Sequence, residues 1–178
     1  MTAVAGTATL THGGVTRPLS NGDQIHMGDT LTTGPGGSTS LSFADGTQLT
    51  LAGNAKVTVD EYIYDPANPS GGTASYNWLQ GAFVYIGGLI DKNHGATIET
   101  PVGSLGFRGT EIIGRYDAKA HTVEIDLISS SVAVSPKRTK AATIFTAPVM
   151  IDFTQSEASA SPLTPEQYEA TKATLFSR

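Results

Sequence analysis

Along the first 150 or so residues, apolar side chains alternate with Ser, Thr and Gln at a period of two, the mark of strands buried on one face. The clearest case is Leu41 and Phe43, then Leu49 and Leu51, on either side of Ala44-Asp45-Gly46-Thr47. Asp-Gly between two alternating runs predicts a hairpin, because the central residues of a type I′ turn need positive φ. This places strands at about 38–44 and 47–52. Further strands are predicted over 3–11, 15–19, 24–33, 56–63, 74–79, 83–86, 97–100, 111–117, 122–127, 131–135 and 142–146. Roughly ten residues per strand and turn leaves no length for helical crossovers. The fold class predicted is all-β, a roll or β-helix-like body or a sandwich of short strands.

Helical signals appear only after residue 160. Thr164 stands as N-cap, Pro165 at the first helical position, Glu166 in the first turn and Gln167 at the capping-box position. Leu163 and Tyr168 occupy the staple positions, and Tyr168, Leu175 and Phe176 form a narrow apolar stripe that predicts docking on the β body. Residues 154–161 (Thr-Gln-Ser-Glu-Ala-Ser-Ala-Ser) have linker composition, so the helix alternatively serves a neighbouring domain. The organisation predicted is a β domain over 1–153, a linker-like segment over 154–163 and a C-terminal helix over 164–178. Two loops stand out, Asp65-Pro66-Ala67-Asn68-Pro69-Ser70-Gly71-Gly72 and the basic Pro136-Lys137-Arg138-Thr139-Lys140.

Composition narrows the function classes. At 178 residues and 18.5 kDa the chain is of one-domain size, long enough to bury ~70% of its unfolded surface without staples. Absence of cysteine excludes disulfides, thiolate nucleophiles and Cys-ligated metal sites. Charged residues are 15%, against ~25% in average soluble domains. Net charge is −5, which argues against nucleic acid, whose binders cluster Lys and Arg against phosphates. The acidity lies in the first half, where residues 1–91 carry only Arg17 and Lys56 against seven acids. The most apolar window, 82–90, is interrupted by Gly87 and Gly88 and is far short of a ~18-residue membrane span. With Arg17 as the first basic residue, Met1 is not expected to open a signal peptide, which leaves a cytosolic chain or a mature exported segment as alternatives.

Candidate chemistry is sparse. His12, His26, His94 and His121 show no zinc-motif spacing, so no metal site is predicted. Gly103-Ser104-Leu105-Gly106 lacks the Gly two residues before Ser that a nucleophile elbow needs, and Gly34-Pro35-Gly36-Gly37 precedes a strand rather than a phosphate-binding helix. No catalytic residue and no cofactor is predicted. Glu99, Glu111, Glu124 and Asp126 would support a carboxylate-dependent hydrolase only if two of them met in a cleft. Tyr62, Tyr64, Tyr76, Trp78, Phe83 and Tyr85 are mostly core by alternation, with Trp78 and its neighbour Tyr76 the candidates for stacking on a glycan. Arg108, between Phe107 and Gly109-Thr110, is predicted to be a structural clamp, donating to backbone carbonyls of strands that do not pair.

Several segments, taken in order, resemble the FecR family of extracytoplasmic domains. They run from Gly6-Thr7-Ala8-Thr9-Leu10, through Gly22-Asp23, Gly28-Asp29-Thr30-Leu31 and Phe43-Ala44-Asp45-Gly46-Thr47, to Thr100-Pro101-Val102-Gly103 and Arg108-Gly109-Thr110. The resemblance implies an all-β module outside the cytoplasmic membrane, with Asp45, Gly46, Thr100, Pro101, Arg108, Gly109 and Thr110 as its structural signature. In the best-known members such a domain relays the state of an outer-membrane iron-siderophore receptor to a cytoplasmic sigma factor. This chain shows neither the membrane helix nor the anti-sigma segment of that architecture, so only the extracytoplasmic module carries over. The expectation is a non-enzymatic interaction or signalling module of the cell envelope, periplasmic or extracellular, that binds a protein partner or links neighbouring domains. The proposed route is an exposed sheet edge accepting a partner strand, with glycan or envelope-polymer binding as the alternative.

Overall fold

The computed structural model describes residues 2–69, 71–93 and 95–176, so His94 and Ser70 lie outside the described residues. The chain folds as β1 (Thr2–Ala5), β2 (Ala8–His12), β3 (Val15–Pro18), β4 (Thr30–Thr33), β5 (Ser38–Ser42), β6 (Gln48–Leu51), β7 (Lys56–Ile63) and β8 (Thr73–Ile86). There follow α1 (Leu89–Asn93), β9 (Ala96–Thr100), β10 (Gly103–Asp117), β11 (Thr122–Pro136), β12 (Thr143–Thr146), β13 (Val149–Phe153), β14 (Ala158–Pro162) and α2 (Pro165–Phe176). All pairings are antiparallel except β8 with β9. The fold is therefore the expected all-β class, a continuous sheet rolled on itself with one C-terminal helix.

Three long strands make the roll. The first half of β8 pairs with β7 and β9, and its second half, from Gly81 onward, pairs with β6 and β10. The first half of β10 pairs with β9 and the second with β8, while β11 follows β10 throughout, carrying β12 on one half and β13 on the other. One layer thus runs β3-β2-β4-β7-β8-β9-β10-β11-β12 and the other β1-β5-β6-β8-β10-β11-β13-β14, sharing the three long strands.

Each long strand changes its inward phase where it passes between layers. In β8 the buried positions are Ala74, Tyr76 and Trp78, then Phe83 and Tyr85; in β10 they are Leu105 and Phe107, then Thr110 and Ile112; in β11, Leu127 and then Val132. An inserted residue flips every later side chain to the other face. The insertions fall at Gly81 (φ 82°), at Gly109 (φ 65°) and at Ser130 (φ 65°). At Gly81 a Cβ would stand 2.5 Å from the Ala55 Cα, so this bend needs glycine for space as well as for φ.

Side chains from both layers form one core, with Trp78 against Phe83 at 4.6 Å between ring centroids and Tyr85 against Phe107 at 4.8 Å. A second, smaller core lies on the opposite face of the second layer, where Val84 and Ile113 meet Leu163 and Tyr168. There α2 docks. Its capping box forms in full, the Thr164 N–H donating to Gln167 Oε1 at 2.8 Å and the Gln167 N–H to Thr164 Oγ1 at 3.2 Å. The Tyr168 hydroxyl donates to Glu111 Oε1 at 2.9 Å, and Lys172 pairs with the same carboxylate at 3.2 Å.

The structure corrects several expectations. Residues 154–163, read as a linker, contain β14, which pairs along its whole length with β13. Small Ala and Ser residues suffice there because only one edge is bonded and neither face is deeply buried. The single strand predicted over 3–11 breaks at Gly6 (φ 71°), and of 24–33 only Thr30–Thr33 is extended. A one-turn helix, α1, appears where no helix was predicted, because a tertiary cap rather than periodicity defines it. Among the described residues no helix is long and apolar enough to cross a membrane.

Candidate functional site

Of the signature residues, Asp45, Gly46, Arg108, Gly109 and Thr110 converge on α1, while Thr100 and Pro101 lie in the separate β9–β10 turn. The Asp45 carboxylate, from the β5–β6 turn, accepts from the Thr47 N–H and hydroxyl at 3.1 and 2.7 Å, from the Tyr62 hydroxyl at 3.1 Å and from the Ile90 N–H at 3.2 Å. Its main-chain carbonyl takes the Leu89 N–H at 2.9 Å, so Asp45 satisfies the amides at the start of α1. Gly46 supplies the positive φ of the turn, 88°. Gly88 packs so tightly on this turn that a Cβ would lie 2.4 Å from the Thr47 nitrogen. From the other end of α1, Asp91 Oδ2 accepts the Thr110 N–H at 2.8 Å, and the Thr110 carbonyl accepts the Gly87 N–H at 2.9 Å. The Ala-Asp-Gly-Thr and Arg-Gly-Thr motifs, about sixty residues apart in sequence, are thereby tied through one helical turn.

Asp91 is fully buried, at 0% exposure, and its Oδ1 has no hydrogen-bond partner among the described residues. Burial pushes its carboxyl up to about 6, against the amide donors of Thr110 and Gly109 that hold it down; the nearby Asp45 charge adds to the rise. Asp91 was not among the candidates read from the sequence; the signal available was an acid directly closing the apolar window 82–90, three residues after Gly88. Arg108 does not join two strands through its guanidinium: its Nε donates once, to the Lys92 carbonyl of α1 at 2.9 Å, while the Arg108 carbonyl accepts the Ser130 hydroxyl at 2.6 Å. Thr100, ahead of Pro101 in the β9–β10 turn, donates to the Gly103 carbonyl at 2.6 Å and accepts the Val102 and Gly103 amides at 3.2 and 3.1 Å.

The stacking candidates are displaced. Trp78 and Tyr76 are each 1% exposed, and the Trp78 Nε1–H is spent on the Gln80 carbonyl at 3.0 Å. A ring without an open face has nothing to offer a sugar, so the glycan expectation founded on these two residues is withdrawn. Glu99 and Glu111 do not form a pair either. Glu99 faces out of the first layer opposite Ser104, whereas Glu111 lies seven residues along β10 from that position and is held by Tyr168 and Lys172 beneath α2. Glu124 and Asp126 both bind Arg115, Asp126 through two bonds of 3.0 and 3.1 Å. His12 and His26 do meet, across the buried Asp29, with His12 Nδ1 2.6 Å from Asp29 Oδ1. Among the described residues no group of His, Asp and Glu is placed to hold a metal ion.

What remains open is the outer face of β9, β10, β11 and β12. Register puts Thr97, Gly106, Ala133 and Ile144 in one cross-strand row, with Glu99, Ser104 and Ser135 in the row beyond and Arg108, Ser131 and Thr146 in the row before. The floor is made of small residues, so it is a shallow trough, with two adjoining cavities of about 310 and 400 Å³. Its outer wall is β12, whose far edge is unpaired. The other sheet edges are blunted. The β1 edge is covered by Asn21, whose Oδ1 accepts the Val4 N–H at 2.6 Å; β3 carries Arg17 and Pro18; β14 ends in Pro162. Strand β12, Thr-Ile-Phe-Thr, has neither charge nor proline, and Ile144 is 71% exposed.

An all-β roll whose long strands pass between two layers, fastened by a carboxylate junction at their bends, defines the structural class. The sequence model described as FecR protein matches residues 29–133, more than half of the chain, from Asp29 through the β10–β11 bend. The chain belongs to the FecR family. Two crystal structures of a candidate anti-sigma factor from Parabacteroides distasonis ATCC 8503 share the fold, one with TM-score 0.62 and 10% identity over 80% of this chain, the other with 0.64 and 11% over 79%. The chain spans 64% and 62% of the length of those two structures. No curated protein sequence matches it.

Proposed function

We propose that this chain is a non-enzymatic signalling or linking module of the cell envelope, acting outside the cytoplasmic membrane by binding a protein partner. Family membership supports the envelope setting and the regulatory role, as does the anti-sigma assignment of the structural neighbours. The observation that carries the binding mode is the β12 edge, the one described edge left without charge, proline or covering loop and ending a sheet that is otherwise well paired. An extended partner segment would add to β12 through main-chain hydrogen bonds, and the trough beside it would read alternate side chains. The rigid junction at α1 fixes β10 and β11, and with them the position of β12.

The test is a photo-crosslinking scan in the native host, with benzoylphenylalanine at positions 15, 144 and 160 of the full-length protein. A discrete adduct at 144 that disappears when Thr143→Pro is added, and none at 15 or 160, is expected. Absence of any adduct at all three positions would refute partner binding, and a proline-insensitive adduct would refute strand addition.

A further inference from the structure

The trough is charged at its two ends and neutral between. At one end stands Arg108, with Lys92 close behind it, the Lys92 carbonyl on the Arg108 Nε and the Lys92 Cγ 3.9 Å from where a Gly109 Cβ would lie. At the other stand Lys137 and Lys140, with Arg138 between them in sequence. None of these five has an ion-pair partner among the described residues, and neither do Lys56 and Lys119 elsewhere, whereas Arg17, Arg115 and Lys172 are ion-paired. Three of the five, Arg108, Lys137 and Lys140, line the trough itself, against one acid, Glu99, at the Lys137 end. In a protein of net charge −5 this concentration is opposite in sign to the molecule as a whole.

The spacing is that of an extended chain. From Ser131, opposite Arg108, to Lys137 is six residues along β11, roughly 20 Å at about 3.3 Å per residue. The floor between, Gly106, Ala133, Ser104 and Ser135, has no side chain longer than a hydroxymethyl group, and a Cβ at Gly106 would meet nothing within 4 Å. A backbone can therefore lie close along the strands while its terminal side chains reach the cations.

We infer that the trough binds an extended acidic peptide segment of a partner protein, about seven residues long, with carboxylate side chains near each end and short neutral residues between, placed beside or continuous with the strand added at β12. This inference rests on the partner-binding reading above and specifies the partner's chemistry. Charge complementarity of exposed groups governs association rate and selectivity, so binding weakens as salt rises.

The experiment is a nitrogen-15 NMR titration of the full chain with two capped heptapeptides, Glu-Thr-Val-Thr-Val-Thr-Glu and the same sequence with Lys at both ends. Shifts confined to residues 97–108 and 131–146 with the acidic peptide, weakening about tenfold between low and physiological salt, and none with the basic peptide, are expected. The Lys137→Glu, Lys140→Glu double variant reduces affinity for the acidic peptide about tenfold and admits a peptide with Lys at one end. Gly106→Val, which fills open space and leaves the melting temperature unchanged, abolishes the shifts. No shifts with the acidic peptide, shifts elsewhere on the surface, or indifference to charge reversal would overturn the assignment. A crosslink at position 144 in the host together with a failed titration would remove the acidic specificity alone; failure of both would remove the binding reading.

Discussion

Asp91 makes the stability of the fold depend on pH in a direction opposite to that of an ordinary salt-bridged acid. Its carboxyl, ordinarily at 3.8, sits at about 6 because burial penalises the charged form, and the Thr110 and Gly109 amides only partly offset that. A raised folded value means that the native state binds more protons than the unfolded chain between those two values, so the stabilisation is complete below about pH 4 and is lost as pH rises through 6. The difference corresponds to about 3 kcal/mol, a large part of a typical ~5–15 kcal/mol domain stability. Asp60, raised by partial burial, adds in the same direction, while Asp23, Asp117 and Glu166 are lowered by their hydrogen bonds and act in the opposite sense. The comparison that isolates Asp91 is therefore between wild type and Asp91→Asn, which keeps an oxygen for the Thr110 N–H but cannot ionise. Urea unfolding at pH 4 and at pH 7 should show the wild type losing up to about 3 kcal/mol more than the variant over that interval. Equal pH dependence in the two proteins would refute the reasoning, and so would a wild type that gains stability relative to the variant as pH rises.

Other substitutions follow from the same geometry. Trp78→Ala should cost about 3–5 kcal/mol in chemical denaturation, as a core ring does, whereas a ligand-facing ring would cost little. Gly81→Ala combines positive φ with a Cβ 2.5 Å from the Ala55 Cα and should destabilise by more than about 1 kcal/mol. Gly106→Ala, in open space, should stay within about 0.5 kcal/mol of wild type. Thr164→Ala removes one half of the capping box and should cost about 1 kcal/mol, read as a lower melting temperature.

The elements most legible in the sequence were those set by local rules. The β5–β6 turn followed from Asp45-Gly46, β7 from the alternation of Val57 and Val59 in its first half, and α2 from its cap at Thr164. The gaps left between strands at 80–82 and 128–130 were real features of another kind, since the pattern loses phase there because β8 and β11 bend without ending. Strand β14 was hidden because Ser and Ala carry no hydrophobic alternation and its pairing is decided by a neighbouring strand, whereas β13, with Val149, Ile151 and Phe153 alternating, carried a readable signal that the strand prediction missed. The signature residues were visible, but their purpose was not: Asp45 and Thr110 meet only through Asp91 and α1, a contact separated by 19 to 45 residues. The trough was illegible for the same reason, since Arg108 and Lys137 come together by register rather than by sequence.

Hydrogen exchange at β12 bears most directly on whether this face receives a partner. Amides of residues 143–146 should exchange rapidly in the purified chain, because one side of that strand is unpaired, and slowly when the full-length protein is labelled in intact envelopes of its host. Slowed exchange at β12, accompanied by residues 104–108 and 131–135, is the predicted result. Unchanged exchange there, with new protection on β3, β14 or the outer side of α2, would contradict the account.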